Sequence, residues 1–192
     1  YANQAPNIIL IGIDSLRPDF IGYFGAESST PFLDSILRQS TIFSEAVTPL
    51  ARTFPSWSSI LLGKYPRESG IRFNLADIQN INLNDSLPAK LRQRGYETIY
   101  ATDETRFSNI DQQFGFNTVI TPPIGLNDFL LGTFNDFPLS NLLINTIIGK
   151  SLFPYSYGNR PAYATYDPDS FIELMRTTLN QPRTKPVFMT VH

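Results

Sequence analysis

The chain has 192 residues, 42% of them hydrophobic and 17% charged, with no cysteine and a formal charge of −2. Such a composition can bury a core and excludes a disordered polymer. A near-neutral charge excludes a nucleic-acid partner bound through a basic face, and the absence of cysteine excludes disulfides, thiolate-zinc sites and a cysteine nucleophile.

Residues 7–13 (NIILIGI) form a continuous apolar run, which predicts a strand buried on both faces, as in a parallel sheet. Thr30 and Pro31 open PFLDSILRQS, a predicted helix with Thr30 as N-cap, Pro31 at its first position and Phe32, Leu33, Ile36 and Leu37 on one face. Residues 41–47 (TIFSEAV) read as a short strand. Residues 55–62 read as a helix beginning just after Thr53 and stopped by Gly63. Residues 85–94 predict another helix ended by Gly95, and residues 96–101 a strand. Residues 169–179 predict a helix and residues 187–191 a last strand. Strand and helix alternate, so the fold class is α/β with a mainly parallel sheet.

Residues 121–167 break the rhythm. They hold Pro122, Pro123, Pro138, Pro154 and Pro161 around an apolar cluster at Leu142, Leu143, Ile144, Ile147 and Ile148. This predicts an insertion over the sheet. It reads as a satellite core, with a lid or a membrane-facing patch as the alternatives. No run of about 18 apolar residues is present, so no transmembrane helix is expected within these residues. The chain starts at Tyr1 rather than Met and stops at the working end of a predicted core strand. Both ends lead us to expect a longer parent chain, with more of the fold downstream.

Asp14 follows the first predicted strand, at the sheet edge where α/β proteins bind ligands. Its carboxylate suits a hard or borderline metal, and Asp-Ser suits a turn equally well. Thr53 stands before a helix whose first residues, Phe54, Pro55 and Ser56, are expected to leave backbone N–H groups facing an anion. A threonine there can be an N-cap, the simpler reading of that residue alone. It can also be a nucleophile, if a metal or a base activates it.

Three stretches together, NIILIGIDSLRPD, TPFLDSIL and ARTFPSWSSILLGKYPRESGI, resemble the alkaline phosphatase/sulfatase superfamily. Gly63-Lys64-Tyr65-Pro66 is similar to the Gly-Arg-Tyr-Pro that closes the sulfatase signature, and counting back from it puts Thr53 at the nucleophile position. The resemblance continues through Gly95-Tyr96-Glu97-Thr98 and into the Lys185-Pro186 strand. It implies an alkaline-phosphatase-like three-layer sandwich, present here as the N-terminal part of a catalytic domain and incomplete at its C-terminus.

The sequence also departs from the sulfatases. Their cysteine or serine becomes formylglycine, which threonine cannot yield because its β-carbon carries a methyl group. The signature arginine is replaced by Trp57, the second aspartate of the first strand by Ser15, and a later Gly-Lys-x-His pattern by Thr102-Asp103-Glu104-Thr105. Thr-Phe-Pro and Tyr65-Pro66-Arg67-Glu68-Ser69-Gly70 look closer to nucleotide pyrophosphatase/phosphodiesterases. Those enzymes, and the phosphoethanolamine and phosphoglycerol transferases, use threonine or serine directly.

The resemblance implies a metal-dependent hydrolase or transferase of phosphate (or sulfate) esters. Asp14 and Thr53 would bind one divalent metal, most often zinc in the threonine-using branches, with calcium, magnesium or manganese as alternatives. Ser56, Arg106 and His192 are candidates for contact with substrate oxygens. For Arg106 a solvated surface cation is an equal reading, and His192 could act as a second-layer group instead. Implied substrates are small-molecule or lipid head-group esters. The implied location is the cell envelope or periplasm, with any membrane association through segments outside these residues. One His and one candidate Asp do not complete a two-metal site, so these 192 residues alone are expected to be inactive. The alternative is a degenerate α/β module that binds an anion or a partner without turnover.

Overall fold

The computed structural model of the chain describes residues 5–27, 29–74, 76–103, 109–121, 146–148 and 168–192. The predicted insertion at 121–167 falls almost wholly outside the described residues, as does Arg106. By contacts the chain divides into two compact units. The first holds residues 1–101, 107–119 and 185–192, and the second holds residues 102–106 and 120–184.

Among the described residues four strands make one sheet in the order β1-β4-β2-β3: β1 Ile8–Ile11, β2 Glu97–Ala101, β3 Thr118–Ile120 and β4 Val187–Val191. The strand formed last in the sequence lies between two formed earlier, and β4 pairs in parallel with β1 and with β2. The registers align Ile8 with Phe188, and Phe188 in turn with Thr98. Asn7 Oδ1 accepts the Val187 N–H at 2.9 Å, and the Pro186 carbonyl accepts the Glu97 N–H at 2.9 Å. These bonds start all three strands at one level. β3 follows β2 in the same direction: Asn117 N–H donates to the Thr98 carbonyl at 2.8 Å, and further along Thr102 N–H donates to that of Ile120 at 3.0 Å.

The helices of the first unit are α1 Pro31–Leu37, α2 Thr53–Leu62, the one-turn α3 Pro66–Ser69 and α4 Leu87–Gln93. In the second unit α5 spans Pro168–Leu179. Ser86 caps α4, its Oγ accepting the Ala89 N–H and donating to the Phe114 carbonyl at 2.6 Å. Gly63 ends α2 in the left-handed conformation, φ 63°, which a residue without Cβ adopts at no steric cost. The core of this unit is aromatic. Phe54 and Leu61 from α2 meet Phe114, while Tyr100, Phe116 and Phe188 pack ring against ring with centroids 5.3 and 6.3 Å apart. Each such ring contributes roughly 1.5–3 kcal/mol by leaving water.

Two expectations fail and a third holds only in position. β1 is an edge strand and is not buried on both faces: Ile9 is 62% and Ile11 67% exposed. Among the described residues its apolar run has one strand neighbour, β4, and of its side chains Leu10 packs inward against the core. Residues 41–47 form no strand. Phe43 and Val47 are exposed, so these apolar side chains find no core to pack on. Thr30 does sit at the N-cap position of α1, but its hydroxyl makes no cap bond. It accepts the Gly22 N–H at 2.9 Å and donates to Asp34 at 2.7 Å, tying the preceding loop to the helix.

Candidate active site

α2 begins at Thr53 itself, one residue earlier than expected after it, and the N-cap is Arg52 in an extended conformation. The Arg52 side chain makes no cap bond. The cap comes from elsewhere in the chain: Asn74 Oδ1 accepts the Phe54 N–H at 3.1 Å. Ser56 N–H is taken by the Arg52 carbonyl at 2.9 Å, and Pro55 has no N–H to give. The expectation of free amides at Phe54, Pro55 and Ser56 is therefore corrected. Among the first-turn amides only that of Thr53 itself has no partner among the described residues.

Thr53 is half-buried, and its hydroxyl makes no hydrogen bond with a described residue. The N-cap explanation of this residue thus falls away, because another residue holds that position. Ser56 has a structural partner. Its Oγ donates to the Leu50 carbonyl at 2.7 Å and lies 2.9 Å from the Thr48 hydroxyl, bracing the loop that leads into the helix.

Trp57, one turn after Thr53, fastens α2 to the sheet. Its ring is buried against Gly12, where a Cβ would come within 2.2 Å of the ring. It also packs on His192, with ring centroids 5.0 Å apart. Gly12 N–H donates to the Val191 carbonyl and His192 N–H to the Ala101 carbonyl, both at 2.9 Å, extending the ladders of three parallel strands by one step. The indole of Trp57 thus touches the residues that follow β1 and β4, and β2 is hydrogen-bonded to the second of these. This is the edge at which α/β sheets bind ligands.

Asp14 lies two residues beyond Gly12. It is exposed, and its carboxylate makes no hydrogen bond or ion pair with a described residue. Ser15 behind it has φ 58°, the left-handed region that costs a non-glycine residue about 1–2 kcal/mol. Retained strain of this kind is a mark of functional turns. Asp14 and His192 thus follow the C-terminal ends of two paired strands, and Thr53 lies one turn before the indole packed on Gly12 and His192. Among the described residues no group of three or more His, Asp or Glu could hold a metal. Asp14 and Thr53 offer two oxygen donors, short of the four that zinc takes.

Sequence reasoning missed Asn74, which acts from twenty residues downstream with no local pattern to betray it. It noted Trp57 only as a departure, where the buried ring in fact explains why Gly12 is small.

A family model described as Sulfatase matches residues 6–192. An ulvan-active sulfatase of Formosa agariphila is 31% identical over 96 residues, which are 50% of this chain and 18% of that protein. An arylsulfatase of Clostridium perfringens is 32% identical over 94 residues, 48% of this chain and 19% of that protein. The chain thus spans about a fifth of the length of these relatives. Among solved structures, a 2-O GAG sulfatase superposes with a TM-score of 0.58 at 17% identity, over 97% of this chain and 34% of that one. The phosphonate monoester hydrolase of Agrobacterium radiobacter gives 0.59 at 16%, over 97% and 40%. The C-terminal periplasmic domain of EptC from Escherichia coli, a complex with Zn, gives 0.59 at 14%, over 99% and 44%. At these identities the superpositions show a shared alkaline-phosphatase-like fold.

Proposed function

The chain belongs to the sulfatase family, and from that premise we propose that Thr53 is the nucleophile of a metal-dependent hydrolase or transferase acting on phosphate or sulfate esters. The observation that carries this reading is the state of Thr53: first residue of α2, half-buried, one turn before the indole packed on Gly12 and His192, its hydroxyl spent on no cap and no other described partner. Thr53 Oγ1 bonds to the phosphorus or sulfur atom as the bond from that atom to the ester oxygen breaks, and the threonine's proton ends on the departing alcohol. Water or an acceptor hydroxyl then attacks the same atom and returns the threonine oxygen. The half-buried position restrains the hydroxyl's rotamer, and Trp57 and Asn74 fix the helix end that presents it. A divalent metal, zinc first, would lower the hydroxyl's pKa. Asp14 would be one of its ligands, the others coming from outside the described residues.

The 192 residues are, in this reading, the N-terminal portion of the catalytic domain, with residues 121–167 as an insertion. Arg106 and His192 would face substrate oxygens. The substrate is a small-molecule or lipid head-group ester. The whole protein is placed in the cell envelope or periplasm, a reading supported by the EptC neighbour, itself a periplasmic domain. Among the described residues no helix is long and apolar enough to cross a membrane.

The test uses the full-length, metal-loaded protein. Thr53→Ala should lower turnover by more than about a thousandfold. Its melting temperature should stay within about 2 °C of the parent, because no hydrogen bond is lost and alanine favours the helix. Thr53→Ser should keep part of the rate. Turnover of Thr53→Ala within about tenfold of the parent, alongside the roughly 0.5–2 kcal/mol stability loss of a missing cap, would sink the reading.

A further inference from the structure

A cleft of about 510 Å³ lies beside the helix that carries Thr53, lined by Leu50, Tyr65, Pro66, Arg67, Glu68 and Arg72 among others. Two of its walls are tied to the first turn of α2. One is Leu50, whose carbonyl accepts Ser56 Oγ at 2.7 Å and Arg52 N–H at 2.9 Å. The other leads from Arg72 to Asn74, two residues on, which holds the Phe54 N–H. Through Leu50 and Asn74 the lining of the cleft is thus bonded to the same helix turn that begins with Thr53.

The charges in the cleft are unbalanced. Glu68 is its single acid, and that carboxylate turns back to accept the Tyr65 N–H at 3.0 Å. Arg67 and Arg72 form no ion pair with a described residue. Two guanidiniums thus face a cleft floored by Leu50, Pro66 and the exposed phenol of Tyr65. A guanidinium is weakly hydrated, and its planar fork matches an oxyanion at two points, so this arrangement is complementary to negative charge.

We propose that the cleft is a second anion subsite, taking a sulfate, phosphate or carboxylate group borne by the same molecule whose ester is presented to Thr53. This rests on the catalytic reading of Thr53 and narrows its substrate to esters with at least two anionic groups.

The test titrates sucrose octasulfate, a polyanion probe, calorimetrically into the full-length protein carrying Thr53→Ala, with and without the pair Arg67→Gln and Arg72→Gln. The double substitution should weaken binding about tenfold, since each exposed charge contact supplies a modest share. In the parent enzyme the same probe should compete with a small aryl ester. Arg67→Lys with Arg72→Lys keeps the charge and should lose less, and it replaces the glutamine pair if that pair fails to fold. No binding to the parent, a change under about twofold in the substituted protein, or binding without competition would each overturn the subsite. Turnover by Thr53→Ala would overturn the catalytic reading instead, and the titration still reports on the cleft by itself.

Discussion

Gly12→Ala should disturb the site from two residues away. Its new Cβ would lie 2.2 Å from Trp57 Cζ2, 2.7 Å from Cη2 and 3.3 Å from Cε2. Carbon atoms rest at about 3.5–4.0 Å, so the indole must retreat by roughly 1.3 Å or more, or the strand end must move by as much. The ring has little room, being 6% exposed and backed by His192. Forced overpacking of this kind costs about 1–3 kcal/mol. In a domain of this size that lowers the melting temperature by roughly 2–12 °C. α2 shifts with the ring, and a misplacement of about 1 Å in a catalytic group costs on the order of a hundredfold in rate. Trp57 is the single tryptophan of the 192 residues, so the emission difference between variant and parent reports on that ring. The assay is a double-mutant cycle with Trp57→Leu, reading melting temperature and turnover in the full-length protein. Gly12→Ala should cost much less once the ring is gone. Unchanged melting and unchanged emission in Gly12→Ala would refute the close approach and, with it, the idea that one indole ties α2 to the sheet.

Asn74→Ala removes the acceptor of the Phe54 N–H and should cost about 0.5–2 kcal/mol in denaturant titration, with Asn74→Asp largely restoring it. Ser56→Ala loses the bond to the Leu50 carbonyl and should cost about 1 kcal/mol, with faster amide exchange at the Arg52 N–H held by that same carbonyl. Thr98 Oγ1 is buried, donating to the Gly115 carbonyl at 2.8 Å and accepting the Asn117 N–H at 3.0 Å. Thr98→Val should therefore lower stability by roughly 1–3 kcal/mol at nearly constant volume, read from the urea midpoint.

The sheet was legible where a segment's own pattern decides its fate. The last strand was read at its observed bounds, Val187–Val191, and the second to within one residue, because both are rich in β-branched and aromatic residues and are buried almost throughout. Gly63 marked the end of α2 for a local steric reason. What failed depends on partners. The run at 7–13 says that a strand forms but not which faces are covered, and β1 lies at the edge. The apolar residues in 41–47 say nothing of whether a core will cover them, and Phe43 and Val47 stay exposed. β3, at three residues, is too short to carry a period. At the site, Asp14, Thr53 and His192 were nominated from strand and helix ends; Asp14 and His192 do follow the ends of paired strands, and Thr53 starts the helix whose Trp57 packs on Gly12 and His192. The identity of the cap was illegible, because Asn74 reaches Phe54 from a loop, and so was the left-handed step at Ser15.

The place of β4 between β1 and β2 has a consequence for biosynthesis. When β1 leaves the ribosome its partner does not yet exist; 180 residues separate Ile11 from Val191, its registered neighbour (191 − 11). At about 5–20 residues per second, that strand waits roughly 9–36 s for its pairing edge. β2 waits too, for some 90 residues (191 − 101), since it reaches β1 only through β4. During this interval Ile8, Ile9, Ile11 and Ile13 are a sticky segment on a nascent chain, open to holdase chaperones or to wrong pairing with another copy on the same polysome. The sheet closes late and from its middle, when residues 187–191 slide between two strands that have been waiting for them.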